Sequence, residues 1–92
     1  MPQFLGLVSI VVQNYDEAIA FYVGKLGFSL DEDTFQVAQN KRWVVVSPPG
    51  ARESRLLLTQ ATNDHQASRV GDQTGGRVFL FLYTAMLLVR PV

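Results

Sequence analysis

The chain has 92 residues, which allows one domain with a thin hydrophobic core. Hydrophobic residues make up 48% and charged residues 17%, a composition that excludes intrinsic disorder. Eight basic and eight acidic residues give a net charge of zero, so we expect neither nucleic acid nor an anionic membrane as a partner. The absence of cysteine excludes disulfides and thiolate metal sites. A small domain without disulfides commonly gains stability from a metal or from a second chain.

We expect neither an export signal nor a membrane-spanning segment in this sequence. The start of the chain has no basic region before its first apolar run, so a signal peptide is not expected. The longest apolar stretch, residues 78–89, is shorter than the ~20 residues that a membrane-spanning helix needs. We therefore expect a soluble, cytoplasmic protein.

The first half of the chain predicts a strand followed by a helix. Phe4–Val12 is apolar and rich in β-branched residues, which indicates a strand. Asn14 and Glu17 have the spacing of a helix-capping pair, and Gly27 is suited to end the helix in a left-handed conformation. These signals predict a helix over Tyr15–Lys25.

The remaining sequence predicts further strands and a polar loop. Strands are expected from Phe28 to the acidic residues 31–33, then over Arg42–Ser47, Ser54–Gln60 and Arg77–Thr84. The intervening segment Ala61–Gly76 is polar and is predicted to be a loop. The tail Ala85–Val92 fits an extended strand, a short hairpin or a frayed end. The order predicts a single α+β domain over residues 1–92, with a βαβββ unit at 1–61, a loop at 62–76, and an extra strand and tail at 77–92.

Several segments together resemble a known family. The runs Val8–Asn14, Tyr15–Tyr22 and Lys25–Phe28, with their spacing to Trp43–Val46 and Leu56–Thr59, resemble the βαβββ module of the glyoxalase/bleomycin-resistance/dioxygenase superfamily, also called the vicinal oxygen chelate superfamily. The resemblance implies a curved mixed sheet with one helix on its convex face. It also implies that the C-terminal strand begins a second, truncated module.

The truncated second module implies self-association. In this family two modules form the cleft that holds the ligand, so the resemblance implies a homodimer or a higher symmetric oligomer, with strand exchange as one arrangement. The expected interface residues lie on the last strand and are Val78, Leu80 and Leu82.

Aliphatic residues stand where metal-dependent relatives have ligands. The resemblance places the family's ligand positions at Leu7, Leu57 and near Val78, none of which can coordinate a metal. The single histidine, His65, lies in the polar loop and is expected to be solvated. The sequence therefore predicts no metal and no cofactor.

Strand alternation defines the expected ligand-binding face. Because the resemblance puts Leu7 on the cleft side, Ser9 on the same strand and Leu57 and Thr59 on the fourth strand share that side. Trp43 either lines an apolar pocket or covers the core. The expected ligand-binding residues are Leu7, Ser9, Trp43, Leu57 and Thr59. Such a surface suits an apolar or aromatic small molecule, or a second copy of the same sheet.

Two charged groups have alternative interpretations. The acidic run Asp31–Asp33 lacks the glycine and glutamate of a calcium loop and is interpreted as a solvated strand end. Four arginines (Arg52, Arg55, Arg69 and Arg77) either gather to hold an anion or only keep the surface soluble.

Three functional hypotheses follow from these observations. The leading one is a metal-free small-molecule-binding protein, of the kind that sequesters drugs, acting as a homodimer and without catalytic residues. The first alternative is a metal-dependent lyase or dioxygenase of the same superfamily. The second is a truncated relative without function that still folds by self-association.

Overall fold

The computed structural model describes residues 2–51, 53–83 and 89–91. Six strands are formed: β1 Leu7–Val12, β2 Ser29–Gln36, β3 Lys41–Ser47, β4 Arg55–Gln60, β5 Phe81–Tyr83 and β6 Val89–Pro91. Helix α1 spans Tyr15–Ile19 and continues as a π-helix over Ala20–Lys25, a 3-10 turn spans Val37–Gln39, and α2 spans Asp64–Ala67. The predicted α+β class with a βαβββ unit is confirmed.

Four strands form one mixed sheet in the order β1-β4-β3-β2. β1 runs parallel to β4, while β4 and β3, and β3 and β2, are antiparallel. A parallel pair needs a long crossover, which α1, β2 and β3 supply between β1 and β4. In consequence β1 and β2 are the two edges of this sheet.

The predicted helix is confirmed from its cap to its end. The Asn14 side chain accepts a hydrogen bond from the backbone N–H of Glu17 at 2.9 Å. The second half widens into π-helical turns, where the N–H of Leu26 bonds the carbonyl of Phe21 at 3.0 Å. Gly27 then adopts a φ of 75°, and the N–H of Phe28 reaches back to the carbonyl of Tyr22 at 2.9 Å. This closure directs the chain into β2.

The core lies between α1 and one face of the sheet. It is formed by alternate residues of the central strands, together with helix residues and Phe28. Its buried members are Ile10, Val12, Ala18, Tyr22, Phe28, Val44, Val46, Leu56 and Leu58. The alternation therefore places the other side chains of these strands on the face of the sheet opposite α1.

The C-terminal strands form a separate two-stranded sheet. β5 pairs antiparallel with β6, Phe81 opposite Pro91 and Tyr83 opposite Val89. Of the predicted strand Arg77–Thr84 only Phe81–Tyr83 is extended in a ladder, and residue 84 lies outside the described residues. For the tail, the pairing of residues 89–91 agrees with the hairpin alternative, while residues 85–88 and 92 are not described.

One short helix lies in the segment that the sequence predicted to be a loop. The side chain of Asn63 caps α2 by accepting from the N–H of Gln66 at 2.8 Å. The side chain of Gln66 in turn accepts from the N–H of Thr62 at 2.7 Å. The spacing of Asn63 and Gln66, three residues apart as in a capping box, is a recognisable signal that the polar composition concealed. Among the described residues, no helix has the length and apolar character needed to cross a membrane.

Candidate functional site

The face of the sheet away from α1, here called the open face, carries the residues predicted from strand alternation. Leu7 and Ser9 of β1 are exposed, whereas Leu57 and Thr59 of β4 are half-buried. The register places Ser9 beside Leu57 and Val11 beside Thr59. Their neighbours in the two strands, including Ile10 and Leu58, belong to the core on the other side. These four side chains are therefore adjacent on one surface.

The two hydroxyl groups on the open face form one hydrogen bond. Ser9 Oγ and Thr59 Oγ1 are 2.9 Å apart, and either oxygen can be the donor. One hydroxyl is thus left with its own hydrogen free to donate outward. The open face offers a polar contact within an otherwise aliphatic surface.

Trp43 belongs to the same side of the sheet. It precedes the core residue Val44 on β3, so alternation places it away from α1, and its side chain is half-buried. Val45 lies between its register partners Glu32 and Leu57 and is only 1% exposed. Of the two interpretations of Trp43, the structure favours a position beside the open face over one in the core under α1.

The positions that correspond to metal ligands hold no donor side chains. Leu7 and Leu57 lie on the open face, while Val78 lies beyond the sheet in the segment before β5. Within the described part of the chain, no three histidine, aspartate or glutamate side chains approach one another closely enough to hold a metal. His65 lies in α2 and is exposed. The residues present do not fit the metal site that the resemblance implies.

An ionic cluster that the sequence analysis missed ties α1 to the sheet. Arg42 of β3 donates to both carboxylate oxygens of Asp33, from Nε at 3.1 Å and Nη2 at 2.7 Å. Its Nη1 donates to Asp16 of α1 at 3.0 Å, and the guanidinium carbon lies 5.3 Å from the centre of the Tyr15 ring. The hydrogen bonds with Arg42 lower the pKa of Asp33, and those with Asp33 and Asp16 raise the pKa of Arg42.

Asp33 therefore has a different role from the one predicted for the acidic run. Asp31–Asp33 lies inside β2 rather than at its end, and the register shift between Leu30 and Glu32 leaves Asp31 as an extra residue. Asp31 and Glu32 are exposed, as predicted, while Asp33 is held by Arg42. Because of this extra residue, the alternation counted from Leu30 is shifted by one position for Glu32 and Asp33.

A cavity of about 590 Å³ lies where β1 ends and α1 begins, and we call it the helix-start cavity. Its walls include Val12, Phe21, Tyr22, Gln73, Arg77 and Val78. The carboxamide of Gln73 accepts from the N–H of Val11 at 3.3 Å and donates to its carbonyl at 2.9 Å. The Gln73 side chain thereby makes the two hydrogen bonds with the backbone of Val11 that a neighbouring strand would make at the outer edge of β1.

A second cavity, of about 300 Å³, lies at the opposite end of the sheet, and we call it the Arg55 cavity. Its walls include Val8, Phe28, Arg55, Leu56, Leu80 and Leu82. None of the five predicted ligand-binding residues lines either cavity. The open face is thus a surface separate from both.

The structure does not gather the four arginines into one site. Arg77 lines the helix-start cavity and Arg55 the other one, at opposite ends of β1. Arg69 is exposed and pairs with Asp72 at 3.4 Å, whereas Arg52 lies outside the described residues. A shared anion site is therefore wrong for the three arginines that are described.

The predicted interface residues differ in their surroundings. Leu80 and Leu82 are half-buried and pack against the chain's own core, while Val78 is 48% exposed. Their role in an interface stays a prediction. Val78 is the member of the three whose side chain is most available to a second copy.

Comparison with known proteins places the chain among relatives of one superfamily. A family model described as Glyoxalase/Bleomycin resistance protein/Dioxygenase superfamily matches residues 4–88. An uncharacterized protein of Shewanella frigidimarina (strain NCIMB 400) is 56% identical over 84 residues, which cover 91% of this chain and 62% of that protein. The chain thus spans less than two-thirds of that relative's length.

Two solved structures share the fold. The crystal structure of UcmS2 has a TM-score of 0.64 and 30% identity, over 74% of this chain and 53% of UcmS2. The crystal structure of TnmS3, described as an antibiotic binding protein from Streptomyces sp. CB03234, has a TM-score of 0.57 and 24% identity, over 79% of this chain and 72% of TnmS3. With the family match over residues 4–88 and the βαβββ architecture, the chain belongs to the glyoxalase/bleomycin-resistance/dioxygenase superfamily.

Proposed function

We propose that this chain is a metal-free small-molecule-binding protein that acts as a homodimer and holds an apolar or aromatic ligand on its open face. The observation that supports the proposal is the composition of that face, where Leu7, Leu57 and Trp43 accompany the Ser9–Thr59 hydroxyl pair. Ligand sites are mostly apolar and carry a small number of placed polar groups that fix orientation. The description of TnmS3 as antibiotic binding supports the same ligand class.

The shape of the face supports the proposed dimer. Binding sites enclose most of a ligand's surface, whereas one exposed sheet face provides a single wall. Leu7 is 38% exposed, so apolar area is left uncovered in one chain. A second copy would supply the opposite wall and would bury this area whether or not a ligand is present.

Binding can be followed through Trp43, because the chain contains one tryptophan. Metal-free protein is titrated with two probes, 8-anilinonaphthalene-1-sulfonate and metal-free bleomycin, while tryptophan emission and heat of binding are recorded. We expect saturable binding of at least one probe with a change in Trp43 emission. Light scattering on the same samples is expected to give twice the mass of one chain.

Variants separate the open face from the rest of the surface. Leu57→Lys places a charge at the centre of the face and is expected to weaken probe binding at least tenfold. Val37→Lys is the matched control, since Val37 is 81% exposed on the 3-10 turn between β2 and β3 and should leave binding unchanged. A monomeric mass, or equal binding by both variants, would overturn the proposal.

A further inference from the structure

Arg55 lies at one end of the open face. It begins β4 beside Leu7 of β1, and strand alternation puts its side chain on the same side of the sheet as Leu57 and Thr59. The next residue of β4, Leu56, is buried in the core on the α1 side. Arg55 also borders the Arg55 cavity, but its alternation is opposite to that of the cavity wall at Leu56. The side chain of Arg55 is therefore assigned to the open face.

The guanidinium of Arg55 is incompletely satisfied. Its Nε is buried and has no hydrogen-bond partner, and among residues 2–51, 53–83 and 89–91 Arg55 forms no ion pair. Glu32, an acidic residue on the same face, belongs to β2, which is two strands or about 10 Å away from β4. A buried donor on a charged group costs free energy when it is unpaired, so Arg55 indicates an acceptor that a ligand supplies.

Arg42 shows in the same fold how a carboxylate satisfies a guanidinium. It donates from Nε and Nη2 to the two oxygens of Asp33, at 3.1 Å and 2.7 Å. This side-on arrangement matches the planar donors to both oxygens, and its bonds join groups of opposite charge. No described residue pairs in this way with Arg55. A ligand carboxylate would complete the same pairing with Nε and Nη2 of Arg55.

The remainder of the open face is mostly apolar and has an aromatic side chain at its other end. Leu57 follows Arg55 at the next open-face position of β4, and Thr59 lies four residues on, about 13 Å away along an extended strand. The register of β3 and β4, continued by one residue, brings Trp43 beside Thr59. The face therefore has a cation at one end, an indole and a hydroxyl pair at the other, and aliphatic surface between them.

We propose that the ligand of the open face is an aromatic carboxylate, with its carboxylate on Arg55 and its rings over Leu57 toward Trp43. This inference rests on the proposed function and adds the chemical class and the direction of the ligand. The aliphatic surface requires an apolar body, and aromatic rings pack favourably against an indole. A span of about 13 Å between the two ends suits two aromatic rings in line.

The test compares an acid with its neutral counterpart. Biphenyl-4-carboxylate and biphenyl-4-carboxamide share the same two rings, and their affinities for the full chain at pH 7 are measured by isothermal titration calorimetry. We expect the carboxylate to bind at least tenfold more tightly, because it brings two charged oxygens to the guanidinium and the amide brings one neutral oxygen. Both probes should shift the methyl signals of Leu7 and Leu57 and the indole N–H signal of Trp43.

Variants of two basic residues on the open face assign the preference. Arg55→Met keeps the apolar stem, so the carboxylate should fall to the affinity of the amide, and the amide should bind as it does to the wild-type chain. Lys41→Met is the matched control, since Lys41 is exposed and lies on the same face of β3, two residues beyond Trp43. It removes the same charge from the far end of the face and should keep the tenfold preference. Arg55→Lys retains the charge without the Nε donor and is expected to show an intermediate preference.

The outcomes separate this inference from the proposed function. Equal affinities of the two probes for the wild-type chain would reject the role of Arg55 and leave binding at the open face in place. An unchanged preference in Arg55→Met with a native circular dichroism spectrum would also reject it, as would loss of the preference in Lys41→Met. If neither probe shifts the signals of Leu57 and Trp43, the proposed function fails and this inference fails with it.

Discussion

Ser9 Oγ and Thr59 Oγ1 share a hydrogen bond of 2.9 Å across the parallel pair β1 and β4. The register pairs Ser9 with Leu57 and Thr59 with Val11, so the bond runs diagonally over the open face. It joins residues 50 positions apart in sequence. The bond thus connects the first strand of the fold to the last strand of the main sheet without using the backbone ladder.

Thr59→Val should remove this bond while preserving the shape of the side chain. We expect the free energy of unfolding in urea to fall by about 0.5–1 kcal/mol, at the lower end for a hydrogen bond because Ser9 is exposed. A double-mutant cycle with Ser9→Ala isolates the pair, and the double variant should lose less than the sum of the single losses. Strict additivity would show that the two hydroxyls do not interact in solution.

Gly27 and Gly24 give opposite predictions for the same substitution. Gly27 has a φ of 75° at the end of the helix, so Gly27→Ala should lower the free energy of unfolding by about 1 kcal/mol. Gly24 lies inside the helical segment with nothing within 4 Å of an added Cβ, and Gly24→Ala should raise stability by about 0.5–1 kcal/mol. Thermal and urea denaturation of the two variants check both signs. The same sign for both would contradict the helix end seen here.

The Arg42 cluster predicts a loss of stability in acid. The pKa of Asp33 is lowered by its hydrogen bonds with Arg42, so the folded chain favours the ionised carboxylate. Its contribution is present above the ordinary aspartate pKa of about 4, and it is lost as the pH falls through the lowered pKa of the folded state. Arg42→Gln should lower the free energy of unfolding by about 1–2 kcal/mol at pH 7, since it removes two ion pairs and the contact with Tyr15.

The pH dependence distinguishes this cluster from a simple packing effect. The difference between wild type and Arg42→Gln should shrink as the pH falls below about 4, because protonated Asp33 no longer needs the guanidinium. Asp33→Asn is the control and should flatten the same part of the profile. A difference between wild type and Arg42→Gln that stayed constant from pH 7 to pH 2 would exclude the ionic explanation.

Local signals predicted most of the fold. The cap at Asn14, the stop at Gly27 and the alternation of β1 and β4 each act within a few residues, and the elements that they predict, β1, α1 and β4, are present near their expected bounds. The same alternation placed Ser9 and Thr59 on one face, and their hydrogen bond confirms that the two side chains meet. These features depend on backbone geometry that a short segment already determines.

The long-range contacts could not be predicted in this way. Arg42 of β3 joins Asp33 of β2 and Asp16 of α1, three segments whose meeting depends on strand pairing and helix packing, and nothing local marks residue 31 as the extra one in the bulge. Gln73 reaches Val11 across 62 positions of sequence, which no pattern in either segment indicates. Both cavities are formed where the C-terminal segment approaches the core, so their existence depends on tertiary packing.

The predicted homodimer is best tested at Val78. Lysine at Leu80 or Leu82 would disturb the chain's own core as well as any interface, because both leucines pack against that core. Val78 is 48% exposed, so Val78→Lys should leave the fold intact while placing a charge between the two copies. We expect light scattering to show the mass of a dimer for the wild-type chain and of one chain for Val78→Lys.

The control for this experiment is Val37→Lys. It adds the same charge at an exposed valine on the 3-10 turn between β2 and β3, which is not part of the predicted interface strand. It should keep the dimer mass, and both variants should keep the circular dichroism spectrum of the wild type. A dimer that survives Val78→Lys would place the interface elsewhere, and a monomeric wild-type chain would reject self-association altogether. In the first case Leu7→Lys is the next variant, because the second copy in the proposed dimer covers the open face and buries Leu7, so a charge there would disrupt the dimer.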